Sequence, residues 1–206
     1  MHSMFQTTVR DGVCRLTQEG ARWLATGWDG GYQDAASAAN ISVPTGFERT
    51  DLGDYARERL TNAGFERSGP VLLTGVDLTH ARGARAGSVT VVATVGLSNP
   101  ATLPIEGARL NDNPEGVGTD GRGDQPPMGT VNVLVGTTRA LDDGTLATLL
   151  ATAVEAKTAT LQSRTGFTGT TSDAVAVGCD PTGDPAEFAG SGTAVGSAVR
   201  ACVRET

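Results

Sequence analysis

Residues Thr130–Ser163 read TVNVLVGTTRALDDGTLATLLATAVEAKTATLQS, and this stretch decides the fold. Thr130–Thr137 is a short apolar, β-branched run of the kind that forms a buried strand. Asp143 then caps a helix running to about Ser163. Leu146, Leu149, Leu150, Ala153, Val154 and Leu161 share one stripe of it at about 100° per residue. A second strand at Asp173–Gly178 and a second helix from Ser191 to Arg204 follow. Strand–helix–strand–helix order predicts an α/β (or α+β) single layered domain, a mixed sheet with helices packed on it.

Upstream, Val13–Thr17 and Arg22–Thr26 read as a hairpin, followed by the glycine-rich turn Gly27–Gly31. Ala38–Val43 reads as a short strand ending at Pro44. Asp51 opens a helix with Leu52, Tyr55, Ala56, Leu60 and Ala63 on one face and Gly64 as its stop. Val71–Val76 and Ser88–Val95 are β-rich, with a polar, Arg-containing connection between them. Met1–Arg10 is expected to be flexible, and Asn111–Pro127, rich in Pro, Gly and Asp, reads as an exposed loop. Arg122-Gly123-Asp124 inside that loop is a chance tripeptide. The 206 residues suit one domain, 1–206, and show no internal repeat.

Composition excludes several classes of function. With 23 acidic against 16 basic residues the net charge is −7, and no basic stripe exists to neutralise phosphates, so no nucleic acid is expected as a partner. No apolar run approaches the roughly 18 residues of a membrane span, and no apolar segment follows the N-terminus as in a secretory signal. A cytoplasmic protein with no membrane partner is expected. Lys157 is the only lysine beside 15 arginines, and with the acidic surplus this suggests salt adaptation. Cys14, Cys179 and Cys202 are widely spaced, and His2 and His80 are the only histidines. Neither a disulfide framework nor a metal site is expected. Nothing sets the oligomeric state.

The helix of the opening stretch poses the chemical question. Between Gly144 and Ser163 its only charged residues are Glu155 and Lys157. Lys157 projects from the centre of the apolar stripe, and Glu155 points nearly opposite, among Thr148, Ala151, Thr152 and Ala159. A helix apolar or small nearly all round is expected to be buried on both sides. Buried charges need partners or a pocket. Lys157 either snorkels to water or serves a site, and Glu155 either satisfies a structural hydrogen bond or does chemistry.

Seven pieces in order resemble the adenosylcobinamide amidohydrolase family, over about Trp23–Val203. They are Gly30-Gly31 with Asn40; Leu73-Thr74-Gly75-Val76-Asp77; and Val92-Ala93-Thr94-Val95-Gly96-Leu97-Ser98-Asn99. Then come Gly129-Thr130-Val131-Asn132, Glu155-Ala156-Lys157-Thr158-Ala159, Gly169-Thr170 with Ser172-Asp173-Ala174-Val175, and Ala189-Gly190-Ser191-Gly192-Thr193. The sequence departs from the family pattern at Gly192, where the family has histidine, and at Thr171-Ser172, where it often has Gly-Thr. The resemblance implies hydrolysis of the secondary amide of adenosylcobinamide, in cobinamide salvage, to adenosylcobyric acid and (R)-1-amino-2-propanol. No cofactor is then expected, since the cobalt corrinoid is itself the substrate. A non-catalytic corrinoid-binding or regulatory domain of the same fold is the alternative.

Cutting an unactivated amide needs an activated water or nucleophile, an oxyanion donor, and an acid for the departing amine. Glu155 is the expected base, Lys157 the expected oxyanion partner, and Asp173 a further catalytic carboxylate. Asn40, Asn99 and Asn132 offer donors and acceptors to the corrin's amide rim. Gly30, Gly31, Asp77, His80, Thr130, Ser191 and Thr193 complete the expected substrate contacts. Asp77 and His80 have the spacing of a carboxylate-oriented imidazole, and Ser191 and Thr193 open a helix N-terminus. Thr130 after Gly129 is a second candidate nucleophile, exposed by self-cleavage.

Overall fold

A computed structural model describes residues 4–66, 69–102 and 129–206. Ten strands and three helices follow one another: β1 (Gln6–Arg10), β2 (Val13–Ala25), β3 (Gly31–Ser42), α1 (Leu52–Asn62), β4 (Val71–Thr74), β5 (Arg82–Ala86), β6 (Val89–Val95), β7 (Pro100–Ala101), β8 (Val131–Thr137), α2 (Asp143–Thr165), β9 (Gly169–Thr170), β10 (Ala174–Cys179) and α3 (Ala194–Glu205). Eight strands form one mixed sheet in the order β4-β3-β2-β10-β8-β6-β5, with β1 beside β2, and β7 pairs with β9 apart from it. The expected mixed sheet with packed helices is present.

The strand and helix of the opening stretch form as β8 and α2. The cap of α2 is Asp142, not the expected Asp143, its carboxylate accepting from Thr145 N at 2.6 Å, and Gly166 ends the helix in the left-handed region. That bond holds the Asp142 carboxyl below its ordinary range. β8 and β10 run parallel, Asn132 facing Ala174 and Thr137 facing Cys179, as the intervening helix requires.

Four further expectations change. The hairpin is one strand: β2 runs through, and Gly20, at φ +68°, inserts a bulge where pairing with β3 shifts between Thr17 and Ala21. β2 stays extended because β3 pairs along both halves, while its other edge takes β1 first and β10 later. Within the N-terminal segment Gln6–Arg10 forms β1, which pairs with β2, and Phe5 is fully buried against Trp23 at a ring separation of 5.5 Å. The Arg-containing connection is a strand, β5, antiparallel to β6. Asp51 stands at the α1 cap position without a side-chain cap bond, because its carboxylate is held by Arg49. The expected loop at Asn111–Pro127 lies outside the described residues.

Alternation sorts the sheet's two faces. On one face Val89, Val91, Val131, Val133, Val135, Val175 and Val177 pack under α2 and α3, and Val13, Ile41 and Val71 pack under Tyr55, Ala56 and Leu60 of α1. The other face curves onto itself. Leu16, Trp23, Ala38, Leu72, Leu134 and Ala176 meet there in a second core. Next to this core the side chains turn polar: Asn132 Nδ2 donates to Asn40 Oδ1 and Leu73 O, both at 2.8 Å. Asn40 Nδ2 donates to Thr94 Oγ1 at 3.0 Å. These bonds tie β3 and β4 to β6 and β8 across the fold rather than along the sheet. No described helix is long and apolar enough to cross a membrane.

Candidate active site

The polar end of that inner face leads to the buried charges. Lys157, on the α2 stripe, has its side chain 9% exposed and pairs with Asp173, 12% exposed, just before β10. Asp173 is held by a cluster of donors. Its Oδ1 accepts from Val131 N at 2.9 Å and from Thr170 Oγ1 at 2.5 Å, and Thr170 N reaches both carboxylate oxygens at 3.1 Å. All these partners are donors, so the group acts as an acceptor and its charge is compensated by one ammonium. Gly169 makes the pair possible: a Cβ there would collide with Asp173 Oδ2 and sit 3.1 Å from Lys157 Nζ. β8, β9, β10 and α2 therefore converge on one carboxylate.

Asp173 lines a cavity of about 380 Å³ between the β2–β3 turn, the ends of β3 and β4, and the start of α1. Thr130 and Ser172 join it on the sheet side, and Trp28, Val43, Phe47, Leu52, Val71 and Leu73 supply apolar walls. Thr26 sets the turn in place, its N–H donating to Val175 O at 2.9 Å while its Oγ1 accepts from Val175 N at 3.0 Å. Trp28 follows, 41% exposed. A smaller cavity of about 200 Å³ lies on the helix side, where Lys157, Arg164 and Arg204 accompany Val95, Leu97, Leu161 and Val203.

The expected site residues separate into groups. Asp173, Lys157 and Thr130 come together, Thr130 nearly fully buried with its hydroxyl 2.6 Å from that of Thr74. Asn132 and Asn40 lie beside them, both buried, Asn132 Nδ2 donating to Asn40 Oδ1, so their side chains tie strands together. Asn99 Nδ2 donates to Thr171 Oγ1 at 2.6 Å, bringing the β6–β7 connection to the loop before Asp173. Gly30 and Gly31 do not line the cavity. They shape the turn that carries Trp28, Gly30 N donating to Gly27 O at 3.3 Å.

Glu155, Asp77, His80, Ser191 and Thr193 lie apart from that cluster. Glu155 is not buried: its side chain is 61% exposed and pairs with Arg200 of α3. The absence of other charges on α2 suggested burial all round, but Ala151 and Ala159 face solvent on that side. Asp77 and His80 stand exposed in a single 3-10 turn. The Asp77 carboxylate accepts from Thr79 N at 2.8 Å, and that bond keeps it below the ordinary carboxylate range. Thr193 is the α3 cap, accepting from Gly196 N at 3.0 Å, and exposed Ser191 precedes it. Both sit near Thr148, whose Cγ2 a Cβ on Gly190 would approach to 3.9 Å. Thr148 is about 13 Å along α2 from Lys157 at 1.5 Å per residue. Position 192, where the resemblance expects histidine, lies at this same remote end.

Thr170 and the apolar walls went unread as site residues. Thr170 carried a signal, its spacing of three from Asp173 at the head of a strand. Phe47 and Leu52 carried none, because their meeting with Trp28 is tertiary. Among the described residues no three of His, Cys, Asp or Glu gather at one point.

Comparison with known proteins adds two findings. A family model described as adenosylcobinamide amidohydrolase matches residues 2–206. A curated protein of Halobacterium salinarum with the name adenosylcobinamide amidohydrolase is 52% identical over 204 residues, covering 98% of this chain and 85% of that protein.

Proposed function

The chain belongs to the adenosylcobinamide amidohydrolase family, and on that footing we propose the site and course of its reaction. It hydrolyses the secondary amide of adenosylcobinamide: water adds to the carbonyl carbon, the C–N bond breaks, and adenosylcobyric acid and (R)-1-amino-2-propanol leave. Family and relative both carry a hydrolase, which disfavours the non-catalytic alternative. Salvage of an incomplete corrinoid for cobalamin synthesis is the setting this reaction fits. The acidic surplus and single lysine support adaptation of the protein to high salt.

One observation carries the placement of the chemistry. Among the described residues lining the 380 Å³ cavity, Asp173 is the single titratable side chain. It shares that lining with Thr130 and Ser172 and is paired with the Lys157 ammonium. Asp173 takes the proton of the attacking water as general base and returns it to the departing amine. Lys157 compensates the carboxylate's charge throughout and keeps it aimed by a bond that Gly169 leaves room for. Ser172, which lines the same cavity, supplies the hydroxyl that meets the developing oxyanion. Glu155, on the far side of α2, takes no part.

No residue of this course calls for ATP or a metal. The experiment is incubation of purified protein with adenosylcobinamide, without nucleotide and with a chelator, followed by chromatographic and mass analysis. Adenosylcobyric acid and aminopropanol are the expected products. Strict dependence on ATP or on an added metal would overturn the course proposed.

A further inference from the structure

We infer that the 380 Å³ cavity is the leaving-group subsite, and that Phe47 and Leu52 set which amine the enzyme releases. This rests on the reading of Asp173 as the base. The argument begins with size. A cavity of 380 Å³ is at the small end of ligand pockets, which run from about 300 to 1,000 Å³, so it admits one side arm of a corrinoid and not the macrocycle. Its lining is ordered in one direction. Ser172 and Asp173, with Thr130 beside them, stand where β8 and β10 begin, and apolar Trp28, Phe47 and Leu52 line the cavity from the β2–β3 turn, the β3–α1 loop and the start of α1. Phe47 is braced against Tyr55 at a ring separation of 4.7 Å, and the Trp28 ring lies beside the first turn of α1, its Cζ3 4.0 Å from where a Cβ on Gly53 would stand.

The arm that fits such a lining is polar at its root and apolar at its tip. The scissile arm has that order: an amide, then a carbon chain with one hydroxyl and a terminal methyl. The corrin's other arms end in primary amides, which have nothing to bury against Phe47 and Leu52 and would leave a polar group against them. The same wall that seats the aminopropanol therefore keeps the primary amides from being cut. Half-exposed Trp28 stands at the cavity's turn, where the macrocycle remains outside.

The test changes the amine and the wall together. Three adenosylated corrinoid amides are compared by kcat/KM: that of 1-amino-2-propanol, that of 2-aminoethanol with one methyl fewer, and that of 1-amino-2-butanol with one methylene more. One carbon in a fitted apolar pocket discriminates by about 10- to 200-fold, so the wild type should prefer the parent by at least about tenfold over each. Leu52→Ala should raise the butanol amide relative to the parent by about tenfold, and Leu52→Phe should raise the ethanolamine amide likewise. Phe47→Leu, trimming the wall from the loop side, replaces Leu52→Ala if that variant folds poorly. An unchanged preference order in folded variants would overturn the subsite. Asp173→Asn on the parent substrate separates the two levels: if it is inactive while the wall variants change nothing, the base stands and the subsite falls. An active Asp173→Asn strikes the reading beneath both.

Discussion

Replacing Lys157 with methionine keeps an unbranched stem in the α2 stripe and removes the charge that faces Asp173. Both partners are almost wholly buried, at 9% and 12% side-chain exposure. Removing one member of a buried ion pair typically costs about 3–5 kcal/mol, because the other charge is left uncompensated. Asp173 would still accept from Val131 N, Thr170 N and Thr170 Oγ1, which places the loss at the lower end, about 3 kcal/mol. For a chain of this length each kcal/mol moves Tm by about 2–4 °C, so Lys157→Met should melt about 6–12 °C lower. Urea denaturation with a double-mutant cycle is the assay. Lys157→Met combined with Asp173→Asn should cost at least about 2 kcal/mol less than the sum of the single changes. A loss under about 1 kcal/mol for Lys157→Met, or additivity within about 0.5 kcal/mol, would refute the claim that these groups sustain each other.

Glu155→Gln should keep wild-type turnover and lose no more than about 1 kcal/mol, since its pair with Arg200 is exposed; steady-state kinetics on adenosylcobinamide checks it. Gly169→Ala should unseat the carboxylate, lowering both stability, by about 1–3 kcal/mol, and kcat; denaturation and turnover are measured together. Burial pushes the Cys14 thiol up to about 11 from 9.0. The folded state therefore holds this proton where the unfolded chain releases it, and stability should fall by up to about 2.7 kcal/mol as pH rises from 9 to 11. Urea titrations at pH 8 and 10.5 should show that slope, reduced in Cys14→Ala. Intact-mass spectrometry of active protein should find one uncleaved chain, because the Thr130 hydroxyl is buried against Thr74. Two fragments meeting at Gly129–Thr130 would make Thr130 the nucleophile instead.

The layered fold was legible because β8, α2, β10 and α3 follow one another with clean periodicity and capping residues. The N-terminal half was harder. The break between Thr17 and Arg22 reads as a hairpin turn in sequence and is a bulge at Gly20 in the structure, a choice made by partners on both edges of β2 that no local pattern encodes. Lys157 stood out as a charge in an apolar stripe, and the structure buries it as that position demands. Glu155 stood out for a weaker reason. Alanine and threonine cover solvent-facing helix surface in this chain, so a lone charge among them does not mark burial. Asn40 and Asn132 were singled out as polar residues in strands, and they are indeed special, but their partners are each other across a sheet curved onto itself. Pairings of that kind depend on curvature, which periodicity does not report. Phe47, Leu52 and Trp28 meet only once α1 docks on β3 and β4.

The account stands on the claim that the amide is cut beside Asp173, in the cavity between the β2–β3 turn and α1. A crystal structure of Asp173→Asn with adenosylcobinamide bound tests it most directly, by locating the scissile carbonyl carbon. The account predicts that carbon one water molecule away from the residue 173 side chain, about 3–5 Å from it, with the hydroxypropyl end against Leu52 and Phe47. An amide seated instead in the 200 Å³ cavity on the helix side, beside Lys157, Arg164 and Arg204, would contradict it.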